Sequence, residues 1–202
     1  MTIKNIVIDI DDTGYDTYPF FVRALAEKNI DVKNEYITPK NGGQAFIDML
    51  EDATFMYNVE PAHLFYRAAI RLFDMGYKLH ICTHRGYTKL GEAFTRKLLS
   101  KPIPNTGLCM MNMLTSIHVI DPTVTPNKME YLDMIFGSRD EYIILDDKPA
   151  FNSKIECFKN VLICDKPWNK HFEAPNRFTG FDTDQFYDTI DKMTLRNIPK
   201  KP

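Results

Sequence analysis

Ile6-Val7-Ile8-Asp9-Ile10-Asp11-Asp12-Thr13 decides how this chain is to be read. The apolar run over residues 3–10 is rich in Ile and Val without strict alternation, which is how a strand buried on both faces of a parallel sheet appears in sequence. It ends in acids. Residues two apart in an extended strand point the same way, so Asp9 and Asp11 are expected to present a pair of carboxylates to one site. Four more runs of this kind lie at residues 77–82, 116–120, 142–145 and 160–164. Helical patterns separate them, at residues 61–76, 87–99, 128–136 and 184–193. In the first of these, Leu64, Phe65, Ala68, Ala69, Leu72 and Phe73 form one stripe and Gly76 is the expected stop. Strands alternating with helices predict an α/β fold: a three-layer, Rossmann-like core around a parallel five-stranded sheet. Ligands of such folds bind beyond the carboxyl ends of the strands.

Residues 15–60 break the alternation. They contain helical patterns at residues 20–27 and 44–50, many aromatics and no good strand. That is too long for an ordinary loop after a strand, so it is expected to form a small helical cap over the site, with residues 1–14 and 61–202 as the core. The 202 residues are 44% hydrophobic and 26% charged, the balance of a globular protein, which excludes disorder or a coiled coil as a description of the whole. With 25 Lys plus Arg against 27 Asp plus Glu, the net charge of -2 argues against bulk nucleic-acid binding. No apolar stretch approaches the ~20 residues that span a bilayer. The start of the chain lacks a signal pattern, and Cys82, Cys109, Cys157 and Cys164 show no CxxC spacing and read as ordinary buried thiols. A cytoplasmic location is therefore expected, the host's cytoplasm for a phage-encoded chain. A homodimer is left open, and residues 198–202 read as a frayed tail.

The remaining chemistry collects at the other strand ends. Thr83 closes the second run, Asp146 and Asp147 close the fourth, and Lys128 stands at the start of the helix after the third. Singly these are weak signals, since an Asp after a strand is more often a cap or turn residue than a catalyst. Their order is what discriminates. In IVIDIDDT, LHICT, the Lys of TPNKMEYL, and YIILDD, the chain resembles the haloacid dehalogenase superfamily of phosphohydrolases. The resemblance implies a Mg²⁺-dependent phosphoric monoester hydrolase. Asp9 would be the nucleophile, Asp11 the general acid and base, and Thr83 and Lys128 the groups on the phosphoryl oxygens. Asp9, Asp146 and Asp11, the last through its carbonyl, would hold the metal, with Asp147 and Thr13 behind them. The chemistry is coherent: a carboxylate nucleophile splits hydrolysis into two steps, and a hard cation relieves the repulsion of crowded carboxylates. A receiver-type signalling domain uses similar residues but places its acidic pair first. A dinucleotide-binding domain would need GxGxxG after the first strand.

Within the superfamily the chain resembles the 5'(3')-deoxyribonucleotidases and their phage and bacterial relatives. The shared features are the helical insertion, Val59-Glu60-Pro61, the LDDKP of residues 145–149, and VLICDKPWNKH followed by Arg177 and Phe181-Asp182. This implies a small-molecule phosphomonoester, a (deoxy)nucleoside monophosphate, as substrate. Two positions depart from the pattern. Asp12 stands where these enzymes often have Gly, either to tune a metal or to cap a turn. Thr83-His84-Arg85-Gly86 is closer to polynucleotide phosphatases, which keeps a polynucleotide 3'-phosphatase or another small-molecule phosphatase as an alternative. A catalytically silent nucleotide-binding homologue is the alternative from a different class. Phe20, Phe46, Phe55 and Tyr57 read either as a base-binding wall or as the core of the insertion. Arg85 and Lys89 read either as phosphate clamps or as surface charges, and His84 adjoins the site. Trp168, Asn169 and the methionines Met110, Met111 and Met113 read as packing.

Overall fold

The computed structural model describes residues 3–32, 34–150, 159–172, 174–181 and 183–195. Cys157, Asp182 and residues 198–202 lie outside the described residues. The opening run forms β1 (Asn5–Ile8), the strand on which the sheet is built. On one side of it lies β4 (Lys78–Thr83) and then β5 (Leu114–Val119). On the other lie β6 (Tyr142–Asp146), β7 (Val161–Cys164) and β8 (Arg177–Phe178), every pairing parallel. The sheet thus has six strands, not the five that the sequence predicts. The additional one, β8, is only two residues long, too short to show as an apolar run.

Register fixes which chain ends meet. Ile8 pairs with Ile81 on one side and Leu145 on the other, so Asp9 and Asp146 leave the sheet side by side. The chain winds outward from β1 through β4 to β5 and then crosses back to β6. The gap between β1 and β6 is therefore the switch point of the sheet, where such folds open a crevice.

Alternate residues of β1 face opposite layers. Ile6 and Ile8 join a core with α4 (Phe65–Asp74), α5 (Gly91–Leu99) and α7 (Asp184–Leu195), whereas Val7 packs with Met129 and Leu132 of α6 (Lys128–Phe136). The helix predicted over residues 61–76 begins later, because Pro61 belongs to a strand and Leu64 takes a left-handed φ of +59°. It ends as expected, at Gly76 with φ +86°.

Residues 15–60 hold α1 (Tyr18–Ala26), α2 (Pro39–Asp52, broken at Gly43 with φ +61°) and α3 (Phe55–Asn58). They also hold strand pairing that the sequence does not reveal. β2 (Tyr15–Asp16) runs antiparallel to β3 (Glu60–Pro61), so the segment leaves and re-enters the core through one two-stranded stem. Cys82 and Cys164 are buried thiols, but Cys109, expected to be buried too, is half-buried, its thiol turned to Asn112 in a capping turn.

Candidate active site

Asp9, Asp146 and Lys128 form one buried knot. The Lys128 ammonium lies 2.8 Å from Asp9 Oδ1 and 2.8 Å from Asp146 Oδ2. The lysine is delivered by the first turn of α6. Asn127 caps that helix by accepting from the Met129 amide at 3.0 Å, and the Lys128 amide donates to the Pro149 carbonyl at 3.0 Å. The Asp9 amide donates to Leu145 at 2.9 Å, and Asp146 Oδ1 accepts from the Lys148 amide at 2.7 Å. Asp147, expected behind the ligands, joins them: carboxylate oxygens of Asp9, Asp146 and Asp147 lie within 4.8 Å of one another.

Asp9 and Asp146 share the Lys128 ammonium, and the buried Asp147 beside them adds a third carboxylate, which leaves the knot short of positive charge. Burial, reinforced by Asp146 and Asp11, pushes the Asp9 carboxyl up to about 7 against the pull of Lys128. Burial likewise raises Asp146 and Asp147 to about 6 each. These are hard oxygen donors with an unmet demand for a cation, so the residues present fit a divalent ion such as Mg²⁺. Asp147 is fixed for that role by Trp168 Nε1, which donates to its Oδ2 at 2.8 Å, and by Asn169 Nδ2, which donates to its carbonyl at 3.0 Å. Trp168 also packs on Tyr18, 4.6 Å between ring centroids, in keeping with its reading as a packing residue. Arg177 pairs with Asp165 and donates to the carbonyls of Asn169 (2.8 Å) and Phe172 (2.6 Å), so it braces the same loop.

Asp11 is separated from this group. β1 stops at Ile8, and the chain turns through Asp12, whose φ of +57° is a conformation that glycine adopts most easily. Asp11 thus lies beyond the named strand, in an isolated bridge with Tyr15. Asp9 and Asp11 both line one cavity, but the Asp11 carboxylate stands outside the cluster and is turned toward Arg85. Arg85 Nε donates to Asp11 Oδ2 at 2.8 Å and Nη2 to Oδ1 at 2.6 Å, while Thr17 Oγ1 donates to the same Oδ1 at 2.7 Å. Burial alone would raise the Asp11 pKa, but Arg85 and Thr17 outweigh it and hold the group below the usual carboxylate range. Asp12 Oδ1 accepts from the Tyr18 amide at 2.6 Å, so of its two expected uses the structure shows the cap.

Above the carboxylates opens a cavity of 530 Å³. Asp9, Asp147, Thr83, His84, Lys128 and Lys148 contribute to its polar side, and Phe21, Tyr36, Phe46, Leu50, Phe55 and Tyr87 to its apolar one. Thr83 Oγ1 and Thr13 Oγ1 are buried with no hydrogen-bond partner among the described residues. His84 Nε2 donates to the Thr125 carbonyl at 2.9 Å, and burial together with Lys128 pushes its pKa down to about 3, so the ring is neutral. Of the four expected wall aromatics, Phe46 and Phe55 line the cavity. Phe20 instead packs on Phe21 (5.8 Å between centroids), and Tyr57 packs on Phe94 (5.1 Å) beneath the Lys97 ammonium. Neither phosphate clamp is in place, since Lys89 is exposed away from the cavity and Arg85 is spent on Asp11. Phe21 and Tyr36 line the site without any motif to mark them. Lys148, which lies within the LDDKP run but is not among the expected site residues, lines it too, its ammonium 3.7 Å above the Tyr36 ring.

No protein-family model and no curated protein matches this chain. Solved structures do. A predicted phosphatase from Clostridium acetobutylicum superposes with a TM-score of 0.60 at 12% identity, over 96% of this chain and 99% of that one. A haloacid dehalogenase-like hydrolase from Streptococcus pneumoniae gives 0.56 at 12% identity, over 89% and 95%. A magnesium-bound haloacid dehalogenase-type hydrolase from Bacillus subtilis gives 0.56 at 13% identity, over 95% and 100%. The chain shares the fold of these hydrolases. Among the described residues, no helix is long and apolar enough to cross a membrane.

Proposed function

We propose that this chain is a Mg²⁺-dependent phosphomonoester hydrolase that works through an aspartyl-phosphate on Asp9, with a (deoxy)nucleoside monophosphate as its substrate. The observation that carries the reading is the shared ammonium: Lys128, 2.8 Å from both Asp9 and Asp146, at the switch point of the sheet and beneath a cavity. Asp9, Asp146 and Asp147 would hold the ion, which when bound supplies positive charge to the phosphoryl oxygens.

In the first step an Asp9 oxygen attacks phosphorus, the bond from phosphorus to the leaving oxygen breaks, and Asp11, in the protonated fraction that Arg85 and Thr17 keep small, gives that oxygen its proton. In the second a water oxygen attacks phosphorus, its proton passes to Asp11, and the bond between phosphorus and Asp9 breaks. Lys128 offsets the charge that Asp9 loses and regains. Thr83 is placed to donate its unpaired hydroxyl hydrogen to a phosphoryl oxygen, a bond that costs no existing one.

The substrate class rests on the cavity. Its 530 Å³ falls within the range of small-molecule sites, and Phe21, Tyr36, Phe46 and Phe55 give it an aromatic lining suited to a flat apolar group such as a base. The THRG segment lends a polynucleotide end no comparable support, because its arginine turns to Asp11 rather than into the cavity.

Phosphate release in Mg²⁺ should be measured over deoxy- and ribonucleoside 5'- and 3'-monophosphates, a 3'-phosphorylated oligonucleotide and sugar phosphates, with Asp9→Asn as control. Preferential turnover of a nucleoside monophosphate, abolished in Asp9→Asn, is the expected result. Activity surviving in Asp9→Asn would overturn the nucleophile, turnover of the oligonucleotide alone would overturn the substrate, and silence throughout would favour a binding protein.

A further inference from the structure

Arg85 is 1% exposed and does not line the cavity, yet it reaches Asp11, a cavity-lining acid that stands outside the cation-binding cluster. Two of its nitrogens fork onto the two oxygens of Asp11, and the third, Nη1, donates to the Met56 carbonyl of α3 at 2.5 Å. A planar fork on a carboxylate fixes orientation as well as charge, which a single ammonium cannot do. The backbone beneath it is equally confined. The Gly86 amide donates to the Ile120 carbonyl at 3.0 Å, and a Cβ at Gly91 would come within 1.8 Å of the Arg85 carbonyl oxygen. Arg85 therefore has one seat, and it joins the 15–60 segment to Asp11.

We propose that Arg85 is the positioning residue of the second half-reaction: its fork orients the Asp11 carboxylate to take a proton from the water attacking phosphorylated Asp9, and its Met56 contact makes that orientation depend on α3 being seated. The inference rests on the phosphatase reading. Bonds balance as in that scheme: water oxygen to phosphorus forms, phosphorus to Asp9 breaks, the water proton goes to Asp11, and inorganic phosphate and the Asp9 carboxylate result. Proton delivery in the first step leaves Asp11 as a carboxylate, so the fork stabilises the state that ends the first step and begins the second.

p-Nitrophenyl phosphate separates the two steps, because p-nitrophenolate leaves without needing a proton. In rapid-mixing experiments in Mg²⁺, Arg85→Gln should release a burst of p-nitrophenolate approaching one equivalent. Steady-state turnover should then fall about tenfold or more, the scale of a mispositioned general base, with the phosphoenzyme accumulating in intact mass spectra. Arg85→Lys, which keeps charge but loses the fork, should fall in between. Thr17→Val removes the third donor to Asp11 with little change of shape, so a smaller burst is expected, and it decides the matter if Arg85→Gln does not fold. A purely structural arginine would slow both phases together without a burst, and that result, or unchanged turnover, would overturn the proposal. Wild-type protein that releases no p-nitrophenolate at all would instead remove the phosphatase reading itself.

Discussion

At the scale of single residues, Thr83 separates chemistry from stability. Its hydroxyl is buried with no partner among the described residues, an arrangement that costs folding free energy. Thr83→Val keeps the shape and removes the unpaired group, so the melting temperature should stay level or rise, while kcat falls about 100-fold through loss of a phosphoryl donor. Calorimetry and steady-state kinetics on one preparation check both halves; a large drop in melting temperature would mean that the hydroxyl serves the fold. Residues such as Thr83, Asp9, Lys128 and Asp146 were legible because each ends a strand or opens a helix, and order along the chain carries their meaning. The Arg85 to Asp11 fork was not legible. It joins residues 74 apart in sequence, and nothing near Arg85 distinguishes an arginine facing a phosphate from one facing a carboxylate.

Elements were legible in proportion to their length and periodicity. α6 occupies the predicted 128–136, because Asn127 and Gly137 mark both its ends. β2, β3 and β8 are two residues each, and no period can be read from two residues. The helix predicted over 87–99 splits into a 3-10 turn, Arg85–Tyr87, and α5 from Gly91, whose missing Cβ lets its backbone lie against the Arg85 carbonyl. This makes Gly91 an element-scale test. In Gly91→Ala the new methyl meets backbone 1.8 Å away, so α5 and the Arg85 turn must move apart. Overpacking of this kind costs roughly 1–3 kcal/mol or more. Thermal unfolding should show that loss together with lower activity, since the same turn holds Arg85. A variant with native stability and activity would mean that the turn adjusts freely.

For the whole molecule, the buried carboxylates tie stability to pH and to the cation. Asp9 at about 7, and Asp146 and Asp147 at about 6, sit above the ordinary value of 3.8, mainly through burial. A carboxyl whose pKa is higher folded than unfolded favours the fold while protonated. Its contribution is complete below about pH 4 and is lost as pH rises through 6 to 7. Asp11 has the opposite sign. Arg85 and Thr17 lower its pKa in the fold, so its contribution is present above about pH 4 and is lost in stronger acid. Without divalent ions, stability should therefore peak in mildly acidic buffer and fall, on the order of a few kcal/mol, between about pH 5 and pH 8. Binding of Mg²⁺ requires the ionised carboxylates, so the ion should stabilise most at pH 8 and least at pH 5, with protons released as it binds near pH 6.5. Denaturant unfolding with EDTA and with Mg²⁺ across this range gives the two curves. They should diverge as pH rises; curves that run parallel would mean that Asp9, Asp146 and Asp147 do not receive the ion.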